Sequence, residues 1–133
     1  MDANAVGRSY PDAFGNYRLA EQTAVSLNAT GDATTLVAQA ATKYIVRRIV
    51  LSNFSGNAAA ANVGVFTAAS GGGTAIASTQ TISGATGATK FVDLTLASAA
   101  NTNVQTDRVL YVNVSANAAV TCDVALYGDI VSL

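Results

Sequence analysis

The chain has 133 residues, a net charge of −1 and no histidine, enough for one domain around one core. Charged residues make up only 11% of it, with no basic run, which argues against nucleic-acid binding. The lack of histidine removes the commonest general base and metal ligand, and the single cysteine, Cys122, allows neither an intrachain disulfide nor a thiolate cluster.

Residues 1–16 contain Gly7, Pro11 and Gly15 and show no periodicity. They read as an extended N-terminal arm, able to reach roughly 50 Å when stretched; the alternative is a frayed terminus. Tyr10, Phe14 and Tyr17 place three aromatics in or beside a segment otherwise without core character, which points to docking on this domain or on a neighbour. The segment has no apolar stretch typical of a secretion signal, so synthesis in the cytoplasm without export is expected. No apolar run approaches the ~20 residues of a membrane span.

From Tyr17 the chain reads as short strands separated by Gly, Ser, Asn and Thr turns. Residues 17–27 form the first, with Leu19, Val25 and Leu27 on one parity. After a turn at 28–32 comes a short strand over 34–38. The strongest strand former is Lys43 to Asn53, KYIVRRIVLSN, β-branched or aliphatic almost throughout. We place it centrally. Strict alternation puts Ile45, Arg47, Ile49 and Leu51 on one face and Tyr44, Val46, Arg48 and Val50 on the other. One arginine then shares a face with aliphatics, so it snorkels, finds an acid, or sits at a bulge that resets the parity.

A loop over 54–61 precedes a strand at 62–68. The Gly71–Gly73 turn leads to a weak strand of small residues over 74–82, expected at a sheet edge. Residues 89–96 alternate, with Val92, Leu94 and Leu96 inward and Phe91, Asp93 and Thr95 outward. After a loop at 97–103, a strand at 106–115 turns Leu110, Val112 and Val114 inward. The last strand, 119–127, buries Val120, Cys122, Val124 and Leu126, and Ile130 is in position to extend the sheet. About eight strands with turns every 8–12 residues predict an all-β, antiparallel β-sandwich, jelly-roll-like or Ig-like, formed by residues 17–133 as one domain.

No catalytic motif appears in the sequence. Neither Lys43 nor Lys90 lies in a Ser-x-x-Lys motif, and the Gly71–Gly73 run lacks the Gly-Lys-Ser/Thr of a phosphate loop. No calcium loop is present. Asp93 and Asp123 sit outward on two strands and read as solvated surface charges. The Arg47–Arg48 pair is either an intersubunit contact or is satisfied within the domain by Glu21, Asp93 or Asp123. We expect no enzyme activity, cofactor or metal.

The segments YPDAFGNYR, KYIVRRIVLSNFSG, NVGVFTAASGGGTAIAS and VLYVNVSANAAVTCDVALYGDIV resemble small structural proteins of tailed-bacteriophage virions, most nearly head decoration (cement) proteins. That resemblance implies a β-sandwich on the capsid surface that self-associates, often as a trimer, and binds the major capsid protein or another virion protein. Contact through Tyr10, Pro11, Phe14, Tyr17, Arg47 and Arg48 would suit this role, with neither nucleic acid nor membrane as a partner. Two other readings stay open: a tail, collar or fibre-attachment component, and a carbohydrate-binding module. The second lacks tryptophan and has scattered aromatics.

Overall fold

The computed structural model describes residues 17–38, 42–97 and 102–132. Eight strands form in chain order: β1 (Tyr17–Ser26), β2 (Gly31–Val37), β3 (Lys43–Ser52), β4 (Asn62–Ala68), β5 (Gly72–Thr81), β6 (Val92–Asp93), β7 (Val109–Ala116) and β8 (Thr121–Ser132). They make two antiparallel four-stranded sheets, β1-β8-β3-β6 and β2-β7-β4-β5. A single turn of 3-10 helix, Ala69–Gly71, sits in the β4–β5 hairpin. Among the described strands only that hairpin joins neighbours within one sheet; every other connection crosses between the sheets. An Ig-type sandwich keeps its first two strands together. Here β1 and β2 lie in different sheets, so the winding is jelly-roll-like.

The core lies between the sheets. Leu19, Val25, Leu27, Leu36, Tyr44, Val46, Ile49, Leu51, Val63, Val65, Ile76, Leu110, Val112, Val114, Cys122, Val124 and Leu126 belong to one buried cluster. Phe54 and Ile82 close it from the loops. The expected inward sets of the first, seventh and eighth strands are buried as read. In β1 this parity survives two irregularities, between Arg18 and Ala20 and between Gln22 and Val25. Each adds one residue, so the two shifts cancel. The second holds Ala24 at φ 54, and its N–H is capped by Asp123 Oδ1 at 3.0 Å.

The strand β3 lies inside its sheet, between β8 and β6. Its buried residues are Tyr44 and Val46, then Ile49 and Leu51, so neither alternating set survives whole. The pairing with β8 jumps from Val46↔Gly128 to Arg48↔Tyr127. Arg47 is the extra residue of a β-bulge, and the bulge turns both arginines outward.

Residues 89–96 differ most from expectation. Leu94 is buried while Phe91, Asp93 and Thr95 are exposed, so the alternation holds, but the strand shrinks to Val92–Asp93. The reason lies in where its backbone bonds go. Leu94 N–H donates to Ile49 O of β3 at 2.9 Å, whereas Ala97 N–H donates to Ile76 O of β5 at 2.8 Å. Gln80 clasps Thr95 in between, accepting from Thr95 N–H at 2.9 Å and donating to Thr95 O at 3.0 Å. The segment is therefore a strap that leaves one sheet and fastens to the other along the edge strand β5. It satisfies part of an edge that would otherwise expose unpaired backbone. β8, in contrast, runs on to Ser132, with Ile130 opposite Tyr44.

Candidate surface contact site

The outward face of β3 at the bulge carries the arginines, and each has an acid in its own chain. Arg47 Nε donates to Asp129 Oδ2 at 2.8 Å. Arg48 grips Asp93 with two nitrogens, Nε to Oδ1 and Nη2 to Oδ2, the latter at 3.1 Å. That bond raises the already high pKa of the Arg48 guanidinium, and the Asp93 charge adds to it. The same guanidinium lies 6.0 Å from the Phe91 ring centroid, at the outer limit of a cation–π contact. Asp93 was among the expected partners. Glu21 instead pairs with Arg18 at 3.2 Å, and Asp123 caps Ala24 and accepts from Asn53 Nδ2 at 3.2 Å. The partner of Arg47 is Asp129, which lies beyond the expected end of the last strand.

The two ion pairs differ in worth. Arg48 and Asp93 are both about half exposed (49% and 46%), and exposed pairs contribute about 0–1 kcal/mol. Asp129 is only 10% exposed, so losing Arg47 takes a charged partner away from a carboxylate that water barely reaches. Arg47→Ala is expected to lower the urea midpoint clearly more than Arg48→Ala. Equal midpoints would mean that Asp129 is as well solvated as Asp93.

Tyr17, the first residue of β1, is 43% exposed and faces Gly128 across the pairing with β8. Tyr10, Pro11 and Phe14 lie outside the described residues. Phe91 is the most exposed large hydrophobic side chain among the described residues, at 59%. Only its position beside outward-facing Asp93 on a strand marked it in the sequence. A small open cleft of about 190 Å³ lies elsewhere, among Ser26, Asn28, Ser55, Ala119, Val120 and Thr121. Two of its hydroxyls are already engaged: Ser26 Oγ accepts from Asn28 N–H and Ser55 Oγ from Thr121 N–H.

Among the described residues no group of three His, Cys, Asp or Glu is placed to hold a metal ion, and no helix is long and apolar enough to cross a membrane. Cys122 is fully buried. Burial, helped by the Asp123 charge, pushes its thiol from 9.0 up to about 12. Burial likewise pushes the Tyr44 phenol from 10.0 up to about 12, with the Asp107 charge adding.

Both shifts have the same consequence for stability. The unfolded chain releases these protons above pH 9 and 10, while the folded chain keeps them. Their contribution is whole below pH 9 and drains away between pH 9 and 12, at roughly 1.4 kcal/mol per pH unit for each group once its unfolded form is ionised. A melting temperature level from neutral pH to about 9, then falling steeply, is expected. Cys122→Ala should move the onset toward pH 10; an unmoved onset would mean that the thiol titrates alike folded and unfolded.

No protein-family model, curated protein or solved structure matches this chain.

Proposed function

We propose that this protein is a structural component of a phage virion, decorating the capsid and bridging neighbouring capsid subunits. The reading rests on the likeness of its segments to head decoration proteins. The observation that carries it is the β-sandwich itself, whose described core runs from Leu19 to Leu126 through both sheets; the sequence places two further aromatics, Tyr10 and Phe14, ahead of it. A stiff sandwich, with residues 1–16 proposed as an arm, suits a cement role, which needs a rigid body and several separate small contacts. The weakly charged surface does little to hold neighbours apart. In this role the protein binds and braces rather than catalyses, and it sits on the capsid surface.

Quantifying the protein in purified particles tests this. A copy number near that of the capsid subunit is expected. A dozen copies or fewer would move the protein to the tail, collar or portal, and none would remove it from the virion. Deleting residues 1–15 is expected to leave the urea midpoint nearly unchanged while binding to particles falls sharply. Undiminished binding would make the segment a frayed end, and loss of folding would make it part of the sandwich.

A further inference from the structure

We propose that residues 90–97 act as a latch, opening and closing as one unit while the two sheets behind them stay folded. The ties that hold the latch closed lie between Asp93 and Ala97 and reach both sheets. On the β3 side, Arg48 grips Asp93 with two nitrogens, and Leu94 N–H donates to Ile49 O at 2.9 Å. On the β5 side, Gln80 accepts from Thr95 N–H at 2.9 Å and donates to Thr95 O at 3.0 Å, and Ala97 N–H donates to Ile76 O at 2.8 Å.

The segment is held more lightly than the sheets it joins. Leu94 is its only buried residue; Lys90, Phe91, Asp93 and Thr95 are exposed, and Val92, Leu96 and Ala97 are half-buried. The Arg48–Asp93 pair stands in water, where such pairs hold weakly. β3 pairs with β8 from Lys43 to Ser52, but with β6 only at Val50 and Leu51. Segments with few buried apolar groups and solvent-facing hydrogen bonds open at a lower free energy than the core. The upstream limit is set by Ala85, which is fully buried and whose carbonyl accepts from Ala58 N–H at 2.8 Å.

The opening is cooperative for a covalent reason. Leu94 is the one side chain of the segment seated in the core, and its carbonyl shares a peptide plane with Thr95 N–H. Withdrawing Leu94 therefore turns Thr95 away from Gln80 and pulls the chain off β5. When closed, the latch occupies the outer backbone of β3 near Ile49 and the outer edge of β5 at Ile76. When open, it bares both edges at once, together with the socket of Leu94.

Amide hydrogen exchange followed by NMR on the full chain tests the proposal. In the closed form the N–H groups of Leu94, Thr95 and Ala97 are bonded to three different acceptors, so each reports opening separately. A single latch gives them one common protection factor. It is expected to be roughly a hundredfold or more below that of the β8 amides, whose strand is paired on both sides. Gln80→Ala touches neither Leu94 nor Ala97, yet is expected to speed exchange at both by the same factor, roughly tenfold. Leu36→Val, in β2 at the opposite edge of the second sheet, is expected to speed the β8 amides roughly fivefold and leave the latch amides unchanged. Latch amides protected as strongly as those of β8 overturn the proposal, as do unequal protection factors among them. So does Gln80→Ala leaving Leu94 and Ala97 unmoved, or Leu36→Val speeding latch and β8 alike. None of these readings depends on the copy number in particles.

Discussion

Gly128→Ala is expected to be the most damaging single-methyl change among the described glycines. At the β3 bulge the backbones of β3 and β8 close up, with Val46 opposite Gly128 and Arg47 looped out beside them. A Cβ at position 128 would overlap the Ile45 carbonyl oxygen outright and would lie 3.0 Å from both the Ile45 carbonyl carbon and Leu19 Cδ1. Ile45 O is backbone inside a paired strand, so it cannot step aside as a side-chain tip can. Room for the methyl requires separating β3 from β8, the pair that forms the centre of that sheet. Overpacking of this kind costs about 3 kcal/mol or more, a large part of the stability of a domain this size. A fall in the urea midpoint of that order, or failure to fold, is the expected result. A variant within about 1 kcal/mol of wild type would mean that the strands do not approach here and that Arg47 is not the bulged residue.

The second large effect is expected at Tyr44, among the largest fully buried side chains. Its backbone exchanges two hydrogen bonds with buried Gln105, at 3.1 and 2.7 Å, and its hydroxyl donates to the Asp107 carbonyl oxygen. One ring thus ties β3 to the segment that leads into β7. Tyr44→Ala empties the space of the ring and orphans an acceptor, which costs about 3–5 kcal/mol. Tyr44→Phe keeps the packing and loses one hydrogen bond, about 1 kcal/mol. The gap between the variants is the diagnostic: equal losses in chemical denaturation would mean that the hydroxyl, and not the ring, carries the contribution. Tyr44→Phe should also soften the alkaline fall in stability above pH 10, because the phenol that contributes to it is gone.

The β-sandwich was legible because its signal is local. Alternation in Leu110, Val112 and Val114, and in Cys122, Val124 and Leu126, needs only the two-residue period of a strand and one buried face. The edge position of β5 was legible too, since its small side chains offer little to bury on either face. The candidate contact site was half legible. Arg47 and Arg48 stood out as charges inside an apolar strand, and Asp93 as an acid on an outward face. Asp129 did not, because Gly128 reads as a strand end. Only the close approach of Ile45 explains a glycine there, and that contact joins residues far apart in the chain.

By itself, then, the sequence determined the strand content, most inward faces and the burial of Cys122, since each follows from side-chain periodicity along one segment. The tertiary structure decided which sheet each strand joins, where β3 shifts its parity, and how residues 94–97 strap the two sheets together. Those depend on which backbone donors meet which acceptors across the chain. Leu94 bonds to Ile49 and Ala97 to Ile76, and nothing in the alternation of residues 89–96 separates that strap from an ordinary strand.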